Sequence, residues 1–339
     1  MRFSRLVCAC LACGCLGGAT AWWIHADAER NGASPIALTE LLPEPEPEPP
    51  PPPPSKEELV QFQPDQTLEL IRDDGTTTTI GYHSAIVDPR WVSIEFFGGW
   101  NREMEANQDA KALLFTSGPT FARGFGNGDL GMVLHGDLMM ANGTWRAGNL
   151  TAARQRAWVG ISKDGNLEFG YGPLTPELEE ELELFIGGLH AFTNTIKAPP
   201  SSYEGVYGEM NLADVRIIYG LRRDGKLELV ETADGVYFPD LKQFVDQKGF
   251  LASYLPDHAS KSRLIIPGKR HWSEEQAVWV SGGKPSITQM PFLLKITPSA
   301  EWTAQQPEDL LDAPADEPMG DEANDPLSSQ SSRSGVNNS

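Results

Sequence analysis

Residues 156–169, Arg-Ala-Trp-Val-Gly-Ile-Ser-Lys-Asp-Gly-Asn-Leu-Glu-Phe, return sixty residues later as residues 216–229, Arg-Ile-Ile-Tyr-Gly-Leu-Arg-Arg-Asp-Gly-Lys-Leu-Glu-Leu. Six of the fourteen positions are identical, and three more are close exchanges: Ile161/Leu221, Lys163/Arg223 and Phe169/Leu229. An Asp-Gly pair between two apolar arms is a strong short-range hairpin signal, because glycine supplies the positive φ that the turn needs. Two such hairpins commit the chain to a β-rich fold with two corresponding parts. Each hairpin opens on an arginine, Arg156 or Arg216.

The rest of the central region reads in the same idiom. Thr67–Ile71 and Thr76–Ile80 flank Asp73-Asp-Gly75 as a first hairpin, and Trp91–Phe97 follows the Asp88-Pro89 turn as a strand. Glu103–Lys111 suits a short helix, and Ala112–Phe115 a buried strand. The glycine-rich stretch Ser117–Gly128 is a binding-loop candidate; without a closing Gly-Lys-Ser/Thr it is not a phosphate-binding P-loop. Leu130–Leu134 and Asp137–Met140 are expected to pair as a hairpin about His135-Gly136. Thr175 to Ile186 has helix-start chemistry, a capping Thr175, Pro176 and crowded acids, with Leu178, Leu182, Phe185, Ile186 and Leu189 on one helical face. The acids from Glu177 to Glu183 read as a solvated helix face. A second helix, Pro239–Gly249, closes on its glycine, and short strands are expected at 250–255, 262–266, 277–280 and 291–296. The sum is an α+β single domain: a largely antiparallel mixed β-sheet built from repeated hairpins, with two or three helices packed against it.

Outside that domain the composition changes. Residues 1–24 carry Arg2 and Arg5 ahead of an uncharged run from Leu6 to Ile24. They suit a signal peptide cleaved after Ala19-Thr-Ala21, or a membrane anchor with Trp22-Trp23 at the interface. Either way the expectation is an exported protein, periplasmic or in the cell envelope, that meets the membrane only through this segment. All four cysteines (Cys8, Cys10, Cys13, Cys15) lie there, so a disulfide or thiolate site in the exported part is excluded. Residues 25–60 form a Pro/Glu-rich linker in which Pro43-Glu-Pro-Glu-Pro-Glu48 runs into six prolines. Twelve such residues at roughly 3.1 Å each make a stiff spacer of about 37 Å. Residues 61–300 are the folded domain, and 301–339 an acidic tail expected to be disordered, with nine acids and one base. The net charge of −20 argues against nucleic-acid binding. The six histidines are scattered without ligand spacing, so neither a metal nor a cofactor is expected.

The order of elements resembles the phosphodiester glycosidase family. That family has a strand entering an Asn-Gly-Gly-x-Phe loop and a Pro-x-Gly strand. A hairpin Arg-Thr-x-x-Gly-x-x-x-Asp-Gly and a helix follow, leading to Leu-Asp-Gly-Gly-Gly-Ser. This chain offers Leu113-Leu-Phe-Thr-Ser-Gly-Pro-Thr-Phe121, in which Gly118 and Phe121 match and Ser117 replaces the family's Asn. Arg216–Gly225 matches the hairpin, and Tyr254-Leu-Pro-Asp-His-Ala-Ser-Lys-Ser262 takes the last landmark, with Leu255, Asp257 and Ser260 but no glycine triplet. The likeness spans roughly residues 65–297.

The resemblance implies hydrolysis of a sugar–phosphodiester, with a glycan phosphodiester as the ligand. Arg216 would hold the phosphate, helped by the backbone around Gly118 and by Phe121. Asp257 would do acid–base work, and Ser117 stands as the second catalytic candidate. Arg216 also suits a plain surface pair with Asp214 or Glu209, and Asp257-His258 a solvated turn. A catalytically inactive, envelope-tethered binding or structural protein of the same fold is therefore the alternative, motivated by the missing Asn and glycines.

Overall fold

The computed structural model describes residues 52–123, 131–203, 215–233, 235–256, 262–273, 279–281, 284–286 and 289–306. The N-terminal segment, most of the linker, residues 124–130, Asp257, His258 and the acidic tail from residue 307 onward lie outside the described residues. The described fold belongs to one compact unit that begins at Pro53.

The chain enters through a short helix, α1 (Lys56–Leu59), and a long hairpin, β1 (Val60–Ile71) and β2 (Thr77–Val87). A 3-10 turn (Pro89–Trp91) leads to β3 (Val92–Gly98), α2 (Glu103–Gln108) and β4 (Leu114–Thr116). Short strands follow: β5 (Phe121–Arg123), β6 (Met132–Leu134), β7 (Leu138–Met140) and β8 (Gly143–Trp145), then α3 (Leu150–Arg154). The first repeat is β9 (Ala157–Ser162) and β10 (Leu167–Tyr171), followed by α4 (Pro176–Glu181) and β11 (Leu182–Asn194). The second is β12 (Ile217–Leu221) and β13 (Leu227–Thr232), followed by α5 (Phe238–Lys248) and β14 (Ala252–Leu255). Four strands, β15 (Leu264–Ile265), β16 (Trp279–Ser281), β17 (Lys284–Ser286) and β18 (Phe292–Pro298), and α6 (Ala300–Ala304) complete it.

Ten strands join one sheet, in the order β1-β2-β13-β12-β14-β11-β7-β8, with β9 paired to β11 and β10 to β9. A four-stranded sheet, β15-β4-β18-β3, stands beside it. Every pairing among the described residues is antiparallel. The α+β expectation therefore holds, although only α5 among the described helices exceeds two turns. The main core lies between the two sheets and contains Phe96, Phe115, Ile186, Tyr219, Tyr254 and Phe292, among others. On the far face of the large sheet lie two satellite clusters. One is under α5 (Ile218, Val230, Phe238, Phe244), the other beside α4 (Trp158, Leu174, Leu182, Phe185).

The repeat proves longer than the hairpin. Both copies run hairpin, helix, strand, and the final strand pairs with the first strand of its own hairpin. The registers agree residue for residue. Gly160 stands opposite Glu168 and Phe185, and Gly220 opposite Glu228 and Ser253. The turns agree as well: Gly165 and Gly225 have φ of +75° and +78°. The shared glycine at 160/220 is explained by close cover. A Cβ on Gly160 would lie 2.7 Å from the Leu184 carbonyl oxygen and 3.0 Å from Leu182, and one on Gly220 would lie 2.5 Å from the Phe250 ring. Leu182 and Phe250 occupy the same place in their units. The shared glutamate diverges: Glu168 is exposed, whereas Glu228 is buried and pairs with Arg222 (2.9 Å) and Lys248 (2.6 Å).

Two local expectations are corrected. Residues 130–140 do not form a hairpin: β6 pairs with β5, while β7 pairs with β8 and β11. The chain crosses at His135-Gly136 because Gly136 lies directly against the Gly187–Gly188 peptide, where any side chain would overlap backbone. The helix expected over 175–186 stops at Glu181. Thr175 caps it by accepting from Leu178 N–H (3.4 Å) as foreseen, but the chain then runs on as β11, with Leu184 and Ile186 in the main core and Leu182 and Phe185 in the α4 satellite. Pairing with β9 on one side and β7 on the other outweighs the weak helical preference, and two successive glycines deny a helix there in any case.

A bilayer-crossing helix is not found among the described residues. At the end of the fold, Trp302 of α6 is buried and donates its indole N–H to the Pro54 carbonyl (2.8 Å).

Candidate functional site

The two units meet on β11. Its first half pairs with β9 and its second half with β14, and the register slips between Ile186 and Leu189. Gly187 and Gly188 form that irregularity, with Gly188 at φ +78°. Gly187 donates its N–H to the Asp137 carbonyl (2.9 Å). The Asp137 carboxylate is buried and accepts from the Ala147 (2.9 Å) and Leu174 (3.0 Å) N–H groups, which ties three loops around the bulge.

Strand alternation sorts the neighbouring side chains. Leu184, Ile186 and Leu189 point into the main core, so Phe185 and His190 point to the opposite face, the one carrying both satellites. Ala157 faces the core, placing Arg156 on that opposite face; Ile217 faces the core, placing Arg216 there too. Ala157 stands opposite Leu189, Leu255 opposite His190, and Tyr219 opposite Tyr254. Arg156 thus precedes β9, which pairs with β11, and Arg216 precedes β12, which β14 separates from β11, so the two strands stand three spacings apart across the sheet, about 14 Å. Both arginines lie on the floor between the α4 and α5 satellites, with the buried His190 on the same floor.

Arg216 is 2% exposed. Its N–H donates to the Thr232 hydroxyl (2.9 Å), and the Thr232 N–H donates to its carbonyl (2.9 Å). Its guanidinium stacks on the Phe238 ring, 4.9 Å from the centroid. Arg156 is buried in a different way. Its Nη1 donates to Thr120 Oγ1 (2.8 Å) and to His135 Nδ1 (3.1 Å), and Thr120 Oγ1 donates onward to the Gly188 carbonyl (3.0 Å). An arginine can only donate, so His135 accepts at Nδ1 and carries its proton on Nε2.

The sequence-derived candidates are placed unevenly. Ser117 is fully buried; its hydroxyl accepts from the Arg263 N–H (2.7 Å), its N–H donates to the Arg263 carbonyl (3.0 Å), and its own carbonyl accepts from the Tyr219 hydroxyl. A Ser262 hydroxyl bond to the Val215 carbonyl (3.1 Å) ties this segment to the residue before Arg216. Gly118 and Phe121 face the main core, and the Phe292 ring occupies the space a side chain at 118 would take. Asp257 follows the buried Pro256 but lies outside the described residues. Thr120, His135 and His190 were not singled out from sequence. The Gly187-Gly188 pair was the visible signal, and a repeated Arg156 pointed the same way.

A cavity of about 490 Å³ lies elsewhere, lined by Trp91, Lys163, Glu183 and Glu301 among others. Among the described residues there is no cluster of three or more metal-ligating side chains.

No protein-family model matches the chain, and no curated protein sequence is similar to it. Solved structures do match. The catalytic domain of zebrafish N-acetylglucosamine-1-phosphodiester α-N-acetylglucosaminidase, in a form auto-inhibited by its pro-peptide, superposes with a TM-score of 0.52 at 17% identity, over 73% of this chain and 86% of that one. A hypothetical protein from Synechocystis superposes with a TM-score of 0.42 at 10% identity, over 71% of this chain and 62% of that one. At these identities the zebrafish enzyme shows a common fold: this chain is built on the same α+β framework as a phosphodiester glycosidase catalytic domain.

Proposed function

We propose that this is an exported protein of the cell envelope that binds and hydrolyses a sugar phosphodiester on the floor formed around β11. What supports the proposal is that each copy of the repeated unit starts its first strand on a buried arginine, both on one face of the same sheet. Guanidinium forks suit phosphate oxygens, and a glycine bulge lets a ligand approach backbone closely. The fold shared with the zebrafish phosphodiester glycosidase domain agrees with this reading. In it, Arg216 holds the phosphate, Asp257 supplies the proton transfer that a departing sugar or phosphate oxygen needs, and Ser117 keeps the loop before Gly118 and Phe121 in place. The N-terminal segment and proline tract would hold the domain away from a membrane.

A second reading is a non-catalytic binder of the same ligand. It is favoured by Ser117, whose hydroxyl already accepts a backbone N–H in the core, and by the absence of the glycine triplet after Leu255. Turnover of an N-acetylglucosamine phosphodiester and of a nitrophenyl phosphodiester, by the full chain and by Arg216→Ala and Asp257→Asn, separates the two. Turnover lost in both variants supports the hydrolase. Binding without turnover supports the second reading, and a protein that neither binds nor cleaves refutes both.

A further inference from the structure

We infer that the cleft between the tips of the two repeated hairpins is the docking site of this chain's own acidic tail, through the segment Pro307-Glu-Asp-Leu-Leu-Asp312. Arg156, His190 and Arg216 do not line this cleft, so its role does not depend on what the β11 floor binds.

The repeat brings its two tips together. Gly165 and Gly225, the positive-φ residues of the Asp-Gly turns, both line a cleft of about 400 Å³. Part of the lining is apolar: Leu167 and Phe169 from the first copy, Leu221 from the second, and Leu251 after α5. Ile196, 51% exposed, lines it too. The charged lining is Arg90, Arg222, Arg223 and Lys226 against Asp88 and Asp224, four cations to two carboxylates on a chain of net charge −20. Two of the cations are engaged: Arg90 pairs with Asp88 (2.6 Å), and Arg222 with Asp224 (3.1 Å) and Glu228 (2.9 Å). Among the described residues Arg223 and Lys226 enter no ion pair. Lys226 stands where the first copy has Asn166, so the added charge belongs to the second tip.

Three observations select the tail as the occupant. The first is charge: from Pro307 onward it holds eight acids and one base, Arg333. The second is pattern. Leu310 and Leu311 lie between Asp309 and Asp312, an apolar pair flanked by carboxylates, which suits an apolar lining with two unengaged cations. The third is place. Ser299 donates its N–H to the Trp91 carbonyl (2.9 Å), so α6 starts from the neighbour of Arg90. The 490 Å³ cavity lined by Ser299, Ala300 and Glu301 shares Pro89, Arg90 and Gly165 with the cleft. The described chain ends two residues after α6, and the six residues from Pro307 to Asp312 span up to about 20 Å when extended.

The test is disulfide trapping in the full chain, with Cys8, Cys10, Cys13 and Cys15 replaced by serine so that only introduced thiols remain. Ile196→Cys/Leu310→Cys is compared with Ile71→Cys/Leu310→Cys. Ile71 is 65% exposed but lies at the opposite end of the β1–β2 hairpin from Val87, which pairs with Leu227 beside the cleft. Docking predicts that the Ile196 pair closes within one chain at least about tenfold faster, because a docked tail raises the local thiol concentration. Arg223→Glu/Lys226→Glu should abolish that advantage, and adding Glu308→Lys/Asp309→Lys/Asp312→Lys to the same chain should restore it. Raised salt should shrink it. Melting temperatures are read alongside; if the charge reversal unfolds the protein, Arg223→Gln/Lys226→Gln must still reduce the advantage. Equal rates for the two pairs overturn the docking. An advantage indifferent to the charge changes overturns it too, since chain length alone would then account for it. A disulfide joining two chains also overturns it, because the occupant would be the tail of a second copy.

Discussion

The pair Glu103–Arg263 offers the sharpest quantitative test of what holds the floor in place. Arg263 Nε donates to Glu103 Oε1 (3.0 Å), and the two side chains are only 1% and 5% exposed. Nη1 donates to the Ser262 carbonyl (2.9 Å), and the guanidinium lies 4.3 Å over the Trp272 ring. Burial pulls the Arg263 guanidinium below its usual value, against the opposing pull of Glu103 and Glu231. Glu103→Gln keeps the shape and removes the carboxylate charge bonded directly to a buried cation. Breaking one side of a buried pair typically costs about 3–5 kcal/mol. For a domain of this size each kcal/mol shifts the melting temperature by about 2–4 °C, so the expected fall is roughly 6–20 °C. The double variant Glu103→Leu/Arg263→Met removes both charges and should recover most of the loss, because an apolar pair escapes the desolvation cost. Urea unfolding at constant m-value, with thermal melts, gives the cycle. A Glu103→Gln cost under about 1 kcal/mol, or strictly additive single variants, would refute the reasoning, since the pair would then be solvated or uncoupled. The backbone bonds between Arg263 and Ser117 should survive in the double variant.

Two further outcomes follow from packing and titration. Gly220→Ala drives a methyl to within 2.5 Å of the Phe250 ring and should cost about 1–3 kcal/mol in urea unfolding, with Phe250→Leu in the same chain relieving part of it. At Asp88, burial opposes the charge, but the hydrogen bonds from the Arg90 side chain and N–H outweigh it and hold the carboxyl below the usual carboxylate range. That contribution is complete above about pH 4 and disappears as the pH falls through the lower folded value, so Asp88→Asn should flatten the acid limb of a stability–pH profile; an unchanged limb would count against it.

What could be read from sequence was whatever local chemistry decides. The Asp-Gly turns at 164–165 and 224–225, the αL glycine closing α5 at Gly249, and the long hairpin about Gly75 all follow from residues adjacent in the chain. The failures share one cause. β11 was hidden because Leu182, Phe185, Ile186 and Leu189 satisfy a helical period as well as a strand with a bulge, and only pairing with β7 and β9 decides between them. The crossing at Gly136 was illegible because its reason, the Gly187–Gly188 peptide, is fifty residues away. In the site, Arg216 announced itself through a hairpin motif. Arg156 carried the same motif, but its partners Thr120 and His135 come from a loop that sequence alone does not fold back.

The thirteen residues of β11 have a consequence for how this chain can come into being. By chain order the strand closes the first unit, yet its second half supplies the neighbour of β14 in the second. A piece of the chain ending near residue 200 would expose an unsatisfied sheet edge, and one starting there would lack a strand beside β14. The duplication therefore reads as two halves of a single cooperative body: cut apart, neither should hold structure, and mixed together they should regain it only by complementation.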